Sequence, residues 1–538
     1  MTTVGTRRSV QDLQAAYDRG DKKPLEDVMR AWRGIKSLSP RDQNSFFVIG
    51  GYHGEPFEVR KAVDALSPTD IYAYWGGWCN HGNILFPTWH RAYLHRLEQA
   101  LQTIVPGVML PFWDETSPES LAGGIPRALT AEKFELDGEL IDNPLRSFTL
   151  PHDLTDDYWL DNTGGETTPY FKPKGYETVR YPLSGLVGNA TDRLATWQHN
   201  AQYLNHAACT EKLDSNIKAW LSGSGPDGAG PTPSDPDPSG FGIYTMFEKC
   251  LEAPNYTVFS NTTSAAAWNH GASGATELVV PLEQPHNDIH LAVGGFDLPG
   301  QTLDSGQVTG SNADMGENNT AALDPIFYFH HCNIDRMFWL WQKRHNQTEK
   351  LEGPINLGTG GYPGTSSTDN QGPTPGIPPG TQLDYTTPLR PFTNPKTNAP
   401  FTSEDVVNIE KLGYTYGPGS LEEPTKRVPA AVKAGGSKKI LTVSGIDRAR
   451  FQGSFVLSAF ATITGANGQT TTRPLGHHSV LSRWSVIKCA NCRTHLNVIA
   501  HFPLSTLTDE EVENATFSVK ITQRGTPATG VKIVTSVN

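Results

Sequence analysis

The sequence predicts a mainly helical domain crossed by long loops, followed by a small all-β domain. Three observations support this prediction. Four segments carry apolar residues at helical spacing, which is typical of helices that bury one face. A stretch rich in Gly, Pro and Ser at 417–438 has the composition of a linker. After it, the sequence turns to short runs of β-branched and aromatic residues, which favour strands.

The predicted helices are spread along the first domain. They are 9–37, 87–104, 281–292 and 324–344. The second and fourth carry proline near the start, where its missing N–H donor does no harm. The helix at 324–344 begins with Asp324-Pro325 and is apolar on most sides. We therefore expect it to be buried.

The chain is expected to divide into three parts. A domain at 1–420 contains the helices, a linker covers 421–438, and a domain at 439–538 forms a small β-sandwich or barrel. Two segments rich in Pro, Gly and Ser, at 222–240 and 353–380, are predicted to be loops of the first domain.

Composition and charge limit the kinds of partner. The chain has 44 Lys and Arg and 56 Asp and Glu, so its net charge is −12. This negative charge argues against nucleic-acid binding. No run of about 18 apolar residues is present, so we expect no membrane partner. The N-terminus shows no apolar signal-peptide core, from which we expect an intracellular protein. Six cysteines in 538 residues do not form a disulfide framework.

Six of the 17 histidines fall into two sets of three. His286 and His290 stand four residues apart on a predicted helix, so their imidazoles share one face and are able to bind one metal ion. His331 follows His330 in the aromatic helix, where buried imidazoles need hydrogen-bond partners or a metal. Taken alone, each motif also fits unrelated surface or core histidines. The other set comprises His53, His81 and His90.

The donor types favour copper. Imidazoles without a nearby carboxylate argue against Mg and Ca, which prefer oxygen, and against carboxylate-bridged di-zinc or di-iron sites. An imidazole-only set suits copper, or a single zinc ion held by three histidines. Two such sets on neighbouring helices favour a copper pair with open positions for a diatomic molecule. Asp335, one turn after His331, is expected either to orient an imidazole or to pair with Arg336.

The residues around these histidines resemble the motifs of the fungal tyrosinases, which belong to the type-3 copper proteins together with catechol oxidases and hemocyanins. The similarity covers about residues 7–420 and includes Tyr414-Thr-Tyr416, a family motif expected to pair with Arg7 or Arg8. The other matching motifs are Gly51-Tyr-His53-Gly54, Cys79-Asn-His81, Phe86-Pro-Thr-Trp-His90-Arg91, His286-Asn-Asp-Ile-His290 and Asp324-Pro-Ile-Phe-Tyr-Phe-His-His331-Cys-Asn-Ile-Asp-Arg336.

The resemblance implies a central four-helix bundle that holds two copper ions, with O2 as co-substrate. It places His330 behind the ligands and Phe327 at the substrate pocket; the alternative role of Phe327 is plain core packing. It also implies a thioether bond between Cys79 and His81, for which the alternative is a free buried thiol. The implied ligands are His53, His81 and His90 for one copper, and His286, His290 and His331 for the other.

A tyrosinase needs a group that takes the proton from a phenol, whose pKa is about 10. Asn287 follows the first histidine of the second set, and Glu283 lies one helical turn earlier. In tyrosinase-like members of the family, such a pair holds a water that accepts this proton. The resemblance therefore implies a tyrosinase, which converts phenols to catechols and o-quinones. The alternative role of Glu283 is a carboxylate at a helix start.

Other functions are compatible with the same metal centre. A catechol oxidase or an o-aminophenol oxidase would lack activity on monophenols, and a hemocyanin-like protein would carry O2. The absence of tandem repeats in the sequence argues against the carrier. Small phenols are the expected partners, with a second copy of the chain and a copper chaperone as further candidates. A melanin-type pigment is the product expected from the family.

The C-terminal domain resembles the lid of fungal proenzymes, which covers the copper site and places one side chain in the substrate pocket. We expect this plug near 451–460 or 480–484. A gate residue over the second copper is expected in the loop 295–320. Cys489 and Cys492 form a C-x-x-C motif in the same domain. This motif is expected to help load copper; the alternatives are a local disulfide or two inert thiols.

Overall fold

A computed structural model of the chain describes residues 4–54, 78–155, 170–187, 190–223, 232, 235–237, 239–271, 278–298, 313–356, 361–367, 377, 380–423, 436–465, 468–484, 496–524 and 528–538. The motif of Cys489 and Cys492 and most of the predicted linker 421–438 lie outside these residues. Among the described helices, none combines the length and the apolar character that a membrane crossing requires.

The described chain up to residue 423 is mainly helical. Three of the four predicted helices are confirmed, as α4, α12 and α13, within two residues of the predicted bounds at either end. The helices are α1 (Val10–Asp18), α2 (Lys23–Ser37), α3 (Phe46–His53), α4 (Phe86–Ile104), α5 (Pro118–Gly123), α6 (Arg127–Thr130), α7 (Ala190–Asn200), α8 (His206–Ser222), α9 (Ile243–Cys250), α10 (Tyr256–Ser260), α11 (Thr262–Gly271), α12 (Glu283–Val293), α13 (Ile326–Arg344), α14 (Ser403–Val406) and α15 (Asp509–Asn514).

The prediction of a single helix at 9–37 was wrong. It is divided into α1 and α2 by a turn at Gly20, whose φ of 96° lies in the left-handed region that favours glycine. Pro24, in the first turn of α2, suits the restart of the helix. The apolar spacing continues across the break because both helices bury side chains in the same core, among them Leu13 and Trp32. Periodicity alone therefore does not reveal the turn.

The core of the helical part lies between α2, α4 and α13. Helix α4 packs against both α2 and α13. Trp32 of α2 stacks on Phe329 of α13 with ring centroids 5.3 Å apart. Farther along α13, Trp341 stacks on Phe259 at 4.6 Å. As predicted, α13 is buried along almost its whole length, and each large apolar side chain removed from water contributes about 1.5–3 kcal/mol.

The change from helices to strands after residue 439 is confirmed. The last six strands form two three-stranded antiparallel sheets, ordered β10-β7-β12 and β11-β8-β9. Apolar side chains of both sheets share a core of their own, with Val443, Leu457 and Phe502 among them. The strands are β1 (Gly5–Arg7), β2 (Lys133–Leu136), β3 (Glu139–Asp142), β4 (Leu154–Thr155), β5 (Phe171–Lys172), β6 (Tyr414–Tyr416), β7 (Ile440–Asp447), β8 (Phe455–Thr464), β9 (Thr470–Val480), β10 (Asn497–Pro503), β11 (Ala515–Gln523) and β12 (Val534–Val537).

A buried charge cluster ties the N-terminus to the end of the helical part. Strands β1 and β6 pair in parallel, and the guanidinium of Arg7 lies 3.5 Å from the centre of the Tyr414 ring. The carboxylate of Asp335 accepts hydrogen bonds from Arg91 Nε at 2.5 Å and from the hydroxyls of Tyr414 and Tyr416, each at 2.6 Å. Arg7 donates to the same carboxylate at 3.3 Å, so it is the N-terminal arginine that joins the tyrosine motif.

Asp335 differs from the sequence prediction. Its hydrogen bonds described above involve no imidazole, and Arg336 pairs with Glu422 at 3.2 Å instead. The physical reason is the neighbouring helix. Asp335 lies one turn after His331 on α13, and the residue of α4 that faces it is Arg91. A buried guanidinium binds a carboxylate more strongly than a neutral imidazole does.

We expect Asp335→Asn to lower the free energy of unfolding by about 3–5 kcal/mol, because it leaves the buried guanidinium of Arg91 without its counter-charge, whereas Arg7 keeps its ion pair with Glu98. Burial raises the pKa of the Asp335 carboxyl, but Arg91 and Arg7 outweigh burial and hold this pKa below its usual value. The contribution is therefore present at neutral pH and is lost as the pH falls from about 4 through the folded-state pKa. Urea denaturation at several pH values measures both effects.

The matched control is Asp12→Asn, which removes the exposed ion pair between Arg8 and Asp12. It is expected to cost less than about 1 kcal/mol. An Asp335→Asn protein as stable as the parent at pH 7 would show that the buried cluster does not support the fold.

Candidate metal centre

The first three histidines come from three different local structures. His53 is the last residue of α3, His81 lies in a loop, and His90 lies in the first turns of α4. All three are buried. Their ring centroids are 5.2–5.6 Å apart, and one ring nitrogen of each lies within 4.8 Å of the others. Helix α3 escaped sequence prediction because it is apolar on every side and has no periodic pattern.

The second three histidines come from α12 and α13. His286 and His290 share one face of α12, as predicted, and His331 of α13 meets them. The Nε2 atom of His331 lies 3.2 Å from Nε2 of His286 and 3.3 Å from Nε2 of His290. Three nitrogen atoms that converge in this way, with at most one proton available between each pair, are the arrangement that a metal ion stabilises.

The two groups of rings are in contact. The rings of His90 and His331 stack with centroids 4.5 Å apart, and the rings of His81 and His286 lie 5.6 Å apart. The two groups therefore line one buried space between α4, α12 and α13.

Hydrogen bonds at Nδ1 orient three of the rings. His90 donates to the carbonyl oxygen of Phe86 at 2.7 Å, and His290 donates to that of Met315 at 2.8 Å. His286 donates to Oδ1 of Asn287 at 3.0 Å. In each ring the proton is thereby held at Nδ1, so Nε2 keeps its lone pair for a metal ion.

Burial also keeps these rings neutral. It lowers the pKa of His90 to about 3, and it holds the pKa of His53, His286, His290 and His331 well below the usual value, with the neighbouring imidazoles adding to the effect. An imidazole must be deprotonated at the nitrogen that binds a metal, so the chemistry of this site suits metal binding at neutral pH.

Phe327 packs against both groups of histidines. Its ring stacks on His331 at 4.0 Å, and its edge meets the ring of His53 at 4.8 Å and that of His290 at 5.6 Å. The ring is fully buried. It therefore restrains three of the imidazoles and excludes water from one side of the centre.

Glu283 is buried at the start of α12, and its carboxylate accepts three donors. The backbone N–H of Gly82 lies 2.9 Å from Oε1, and the backbone N–H and hydroxyl of Thr262 lie 2.9 and 3.0 Å from Oε2. Burial raises the pKa of this carboxyl, although these hydrogen bonds oppose the shift. Because Gly82 directly follows His81, Glu283 also fixes the loop that carries this histidine.

His330 lies behind the second group and has a partner that the sequence analysis missed. Its Nδ1 donates to Oε1 of Glu115 at 2.6 Å, and Asn333 donates to Oε2 at 3.2 Å. Glu115 lies far from α13 in the sequence, in the stretch Asp114-Glu115 after an apolar run. No local motif marks it, and only the packing of the chain brings it to His330.

Cys79 lies in the loop that carries His81 of the first group. Its side chain is buried, two residues before His81, and Nδ2 of Asn318 donates to its Sγ at 3.5 Å. The thiol is not in a disulfide. This position agrees with either reading of Cys79 made from the sequence.

A buried space lined by two adjoining groups of imidazoles, one of three and one of four that includes His330, has the donor set of a dinuclear metal centre. The protein comparisons agree with this class. The family model described as the common central domain of tyrosinase matches residues 43–344, which include both groups. The chain therefore belongs to the tyrosinase family, whose members are oxidoreductases that use two copper ions and O2 to act on phenols.

Relatives of comparable length come from bacteria and from a fungus. The chain is 62% identical to tyrosinase HcTyr2 of a Hahella species over 97% of this chain and 92% of that protein. It is 39% identical to a tyrosinase of Aspergillus oryzae over 98% and 94% of the two chains. The comparisons thus show the family without assigning the chain to its fungal members.

Solved structures agree over the full length. The structure of a tyrosinase from Burkholderia thailandensis at low pH superposes with a TM-score of 0.86 and 55% identity, covering 99% of this chain and 100% of that one. A variant of the pro-tyrosinase of Aspergillus oryzae shares the fold, with a TM-score of 0.61 and 19% identity over 99% and 93% of the chains.

We expect His290→Asn to lower the bound copper from two ions per chain to about one. The substitution removes one of three converging Nε2 atoms and leaves the first group intact. Elemental analysis of copper in the purified protein measures the loss. His95→Asn is the control, because His95 bonds to Gln99 at 3.1 Å and lies outside both groups. Two retained copper ions in His290→Asn would contradict the assignment.

Proposed function

We propose that the chain is a tyrosinase that oxidises monophenols to catechols and catechols to o-quinones. The observation that carries this proposal is the pair of adjoining imidazole groups in a protein of the tyrosinase family. We infer that α3, α4, α12 and α13 form the predicted four-helix bundle, and that the two C-terminal sheets form a small sandwich.

The copper ligands in this proposal are the six histidines of the two groups. His330 is left out because its Nδ1 is held by Glu115 and its ring lies behind the other three. When bound, the two copper ions supply the redox chemistry through which O2 oxidises the phenol. The ligands are His53, His81 and His90 for the first ion, and His286, His290 and His331 for the second.

The protein supplies orientation, a proton acceptor and a dry pocket. Phe327 is fixed against His331, where it would restrain the ring of a bound phenol. Glu283 and Asn287 line the same cavity as His81. A phenol gives up its proton before it binds a metal, and the buried carboxylate of Glu283 is the base of this cavity that would accept it through a water. Asn287 would hold that water while it orients His286.

The alternative is a catechol oxidase or an o-aminophenol oxidase. One observation favours it: both oxygens of Glu283 already accept hydrogen bonds from Gly82 and Thr262. On this reading Glu283 only clamps the loop of His81, and no base serves a monophenol. The two readings predict different effects of the same substitution.

If Glu283 is the base, Glu283→Gln is expected to lower kcat for a monophenol by about 100-fold or more, as for loss of a general base. Activity on the matching catechol should fall much less, because a catechol ionises more readily. If Glu283 is only a clamp, both activities fall together. Thr262→Val is the control for the clamp, because it removes one hydroxyl donor and leaves the carboxylate in place.

We also propose that the C-terminal domain is a lid and that the chain is made as a proenzyme. Two hydrogen bonds join the domain to the segment beside the histidines: the backbone N–H of Asn318 donates to the carbonyl of Ser482, and the backbone N–H of Trp484 donates to Oδ1 of the Asn319 side chain, both at 3.1 Å. Arg483 donates to the carbonyl of Gly54, next to His53. These contacts lie at the mouth of the metal centre.

The contacts distinguish between the two predicted plug segments. Phe451 and Phe455 stack on each other in the core of the β domain, so they are occupied there. Leu481 and Trp484 instead join the core of the helical part, to which the segment 451–460 contributes only the smaller side chain of Val456. The segment 480–484 is therefore the plug segment that we propose.

The cavity left under the lid is about 50 Å³, lined by His81, Glu283, Asn287, Arg448, His478 and Leu481 among others. A cavity that binds benzene has a volume of about 150 Å³. The closed arrangement is thus too small for a phenol, which supports latency. Arg448, whose guanidinium donates to the carbonyl of Leu481 at 2.7 Å, is a further lining residue that the sequence analysis did not single out.

We expect Leu481→Ala to raise the phenol oxidase activity of the full-length protein severalfold, because it removes buried apolar area between the lid and the helical part, worth about 2–3 kcal/mol. Initial rates with a catechol measure the gain. Limited proteolysis is the control: once the lid is cleaved, variant and parent should be equally active. Equal rates before proteolysis would argue against a plug at 480–484.

A further inference from the structure

Glu115 is a fully buried carboxylate that the proposed reaction does not use. Its Oε1 accepts a hydrogen bond from Nδ1 of His330 at 2.6 Å, and its Oε2 accepts one from Nδ2 of Asn333 at 3.2 Å. All three side chains are fully buried. Both partners lie on α13, in the turns that surround the ligand His331. The carboxylate therefore fixes α13 at the point where it carries a proposed copper ligand.

His330 transmits this constraint to the second group. Its ring stacks on the ring of His286 at 5.3 Å and an angle of 25°. It meets the rings of His290 and His331 edge to face, each at 5.1 Å. One ring nitrogen of His330 lies within 4.8 Å of a nitrogen of each of these three. A rotation of His330 would thus displace all three rings.

We propose that Glu115 is a positioning residue for the second metal ion. Its carboxylate sets the rotation of His330, and His330 sets the mutual positions of the three rings whose Nε2 atoms converge. Carboxylates that orient the ligating imidazoles of a metal site commonly contribute to metal affinity, and here the carboxylate would act through one further ring. The inference rests on the proposed function, because it assumes that this group binds copper.

A purely structural role would look different. If Glu115 only satisfied two buried donors, its removal would lower stability and leave the metal affinity of the folded protein unchanged. Glu98 provides the matched control. It is a buried carboxylate on α4 that accepts hydrogen bonds from Arg7 at 2.9 Å and from the backbone N–H of Leu110 at 2.8 Å. These donors include no imidazole.

The test compares Glu115→Gln, Glu98→Gln and the parent as full-length apo-proteins. Each is titrated with copper(II) ions in competition with a chromophoric chelator, and each is melted without metal. The EPR spectrum is recorded along the titration, because a copper(II) ion bound alone gives a signal, whereas two adjacent copper(II) ions that couple give none. Glu115→Gln is expected to bind one equivalent as the parent does and the other about 10- to 100-fold more weakly. Its EPR spectrum is expected to change.

Glu98→Gln is expected to lower the melting temperature and to keep both copper affinities. Should Glu115→Gln fail to fold, Asn333→Ala takes its place, because it frees the other oxygen of Glu115; it is expected to weaken one equivalent in the same direction but less. Unchanged affinities and EPR spectra in whichever variant folds would overturn the inference. A parent protein that binds no second copper would instead overturn the proposed function.

Discussion

The structure depends on burying imidazoles side by side and holding them so that one ring nitrogen stays free for a metal ion. A buried ring that keeps its proton on Nδ1 offers Nε2 to a metal, but it needs a hydrogen-bond acceptor behind it. For His90 and His290 this acceptor is a backbone carbonyl, from Phe86 and Met315. The metal centre is therefore built into the backbone of α4 and of the segment after α12. Any shift of those segments alters the set of nitrogens.

The segment 314–320 links this constraint to the C-terminal domain. One face supplies the Met315 carbonyl to His290, and another supplies Asn318 and Asn319 to the contacts of Cys79 and the C-terminal domain. The segment is itself fixed by a fully buried ion pair, in which Lys172 Nζ lies 2.6 Å from Oδ1 of Asp314. The contacts of the C-terminal domain and the metal centre thus share one rigid support. Movement of that domain would act directly on the surroundings of His290.

Much of the fold and of the site could be predicted because the signals are local. The spacing of His286 and His290 follows from one helical turn, and the apolar character of α13 predicted its burial. Features set by tertiary packing could not be predicted in this way. Helix α3 has no polar face to reveal it, and the break at Gly20 is hidden by a continuous apolar pattern. The partners of Asp335 depend on which residue of α4 faces it.

Three buried carboxylates near the centre show why residue type alone does not give a role. Asp335 faces guanidinium groups, so it serves the fold. Glu283 faces backbone N–H groups and a hydroxyl, which leave it beside the cavity without a neutralising cation in direct hydrogen-bond contact among the described residues. Glu115 faces His330. In our proposal, a carboxyl group that contacts the ligand rings through an imidazole influences where those rings lie, whereas one paired with arginine does not. The role of each carboxylate therefore depends on its nearest hydrogen-bond donor. No sequence pattern predicts which donor that is.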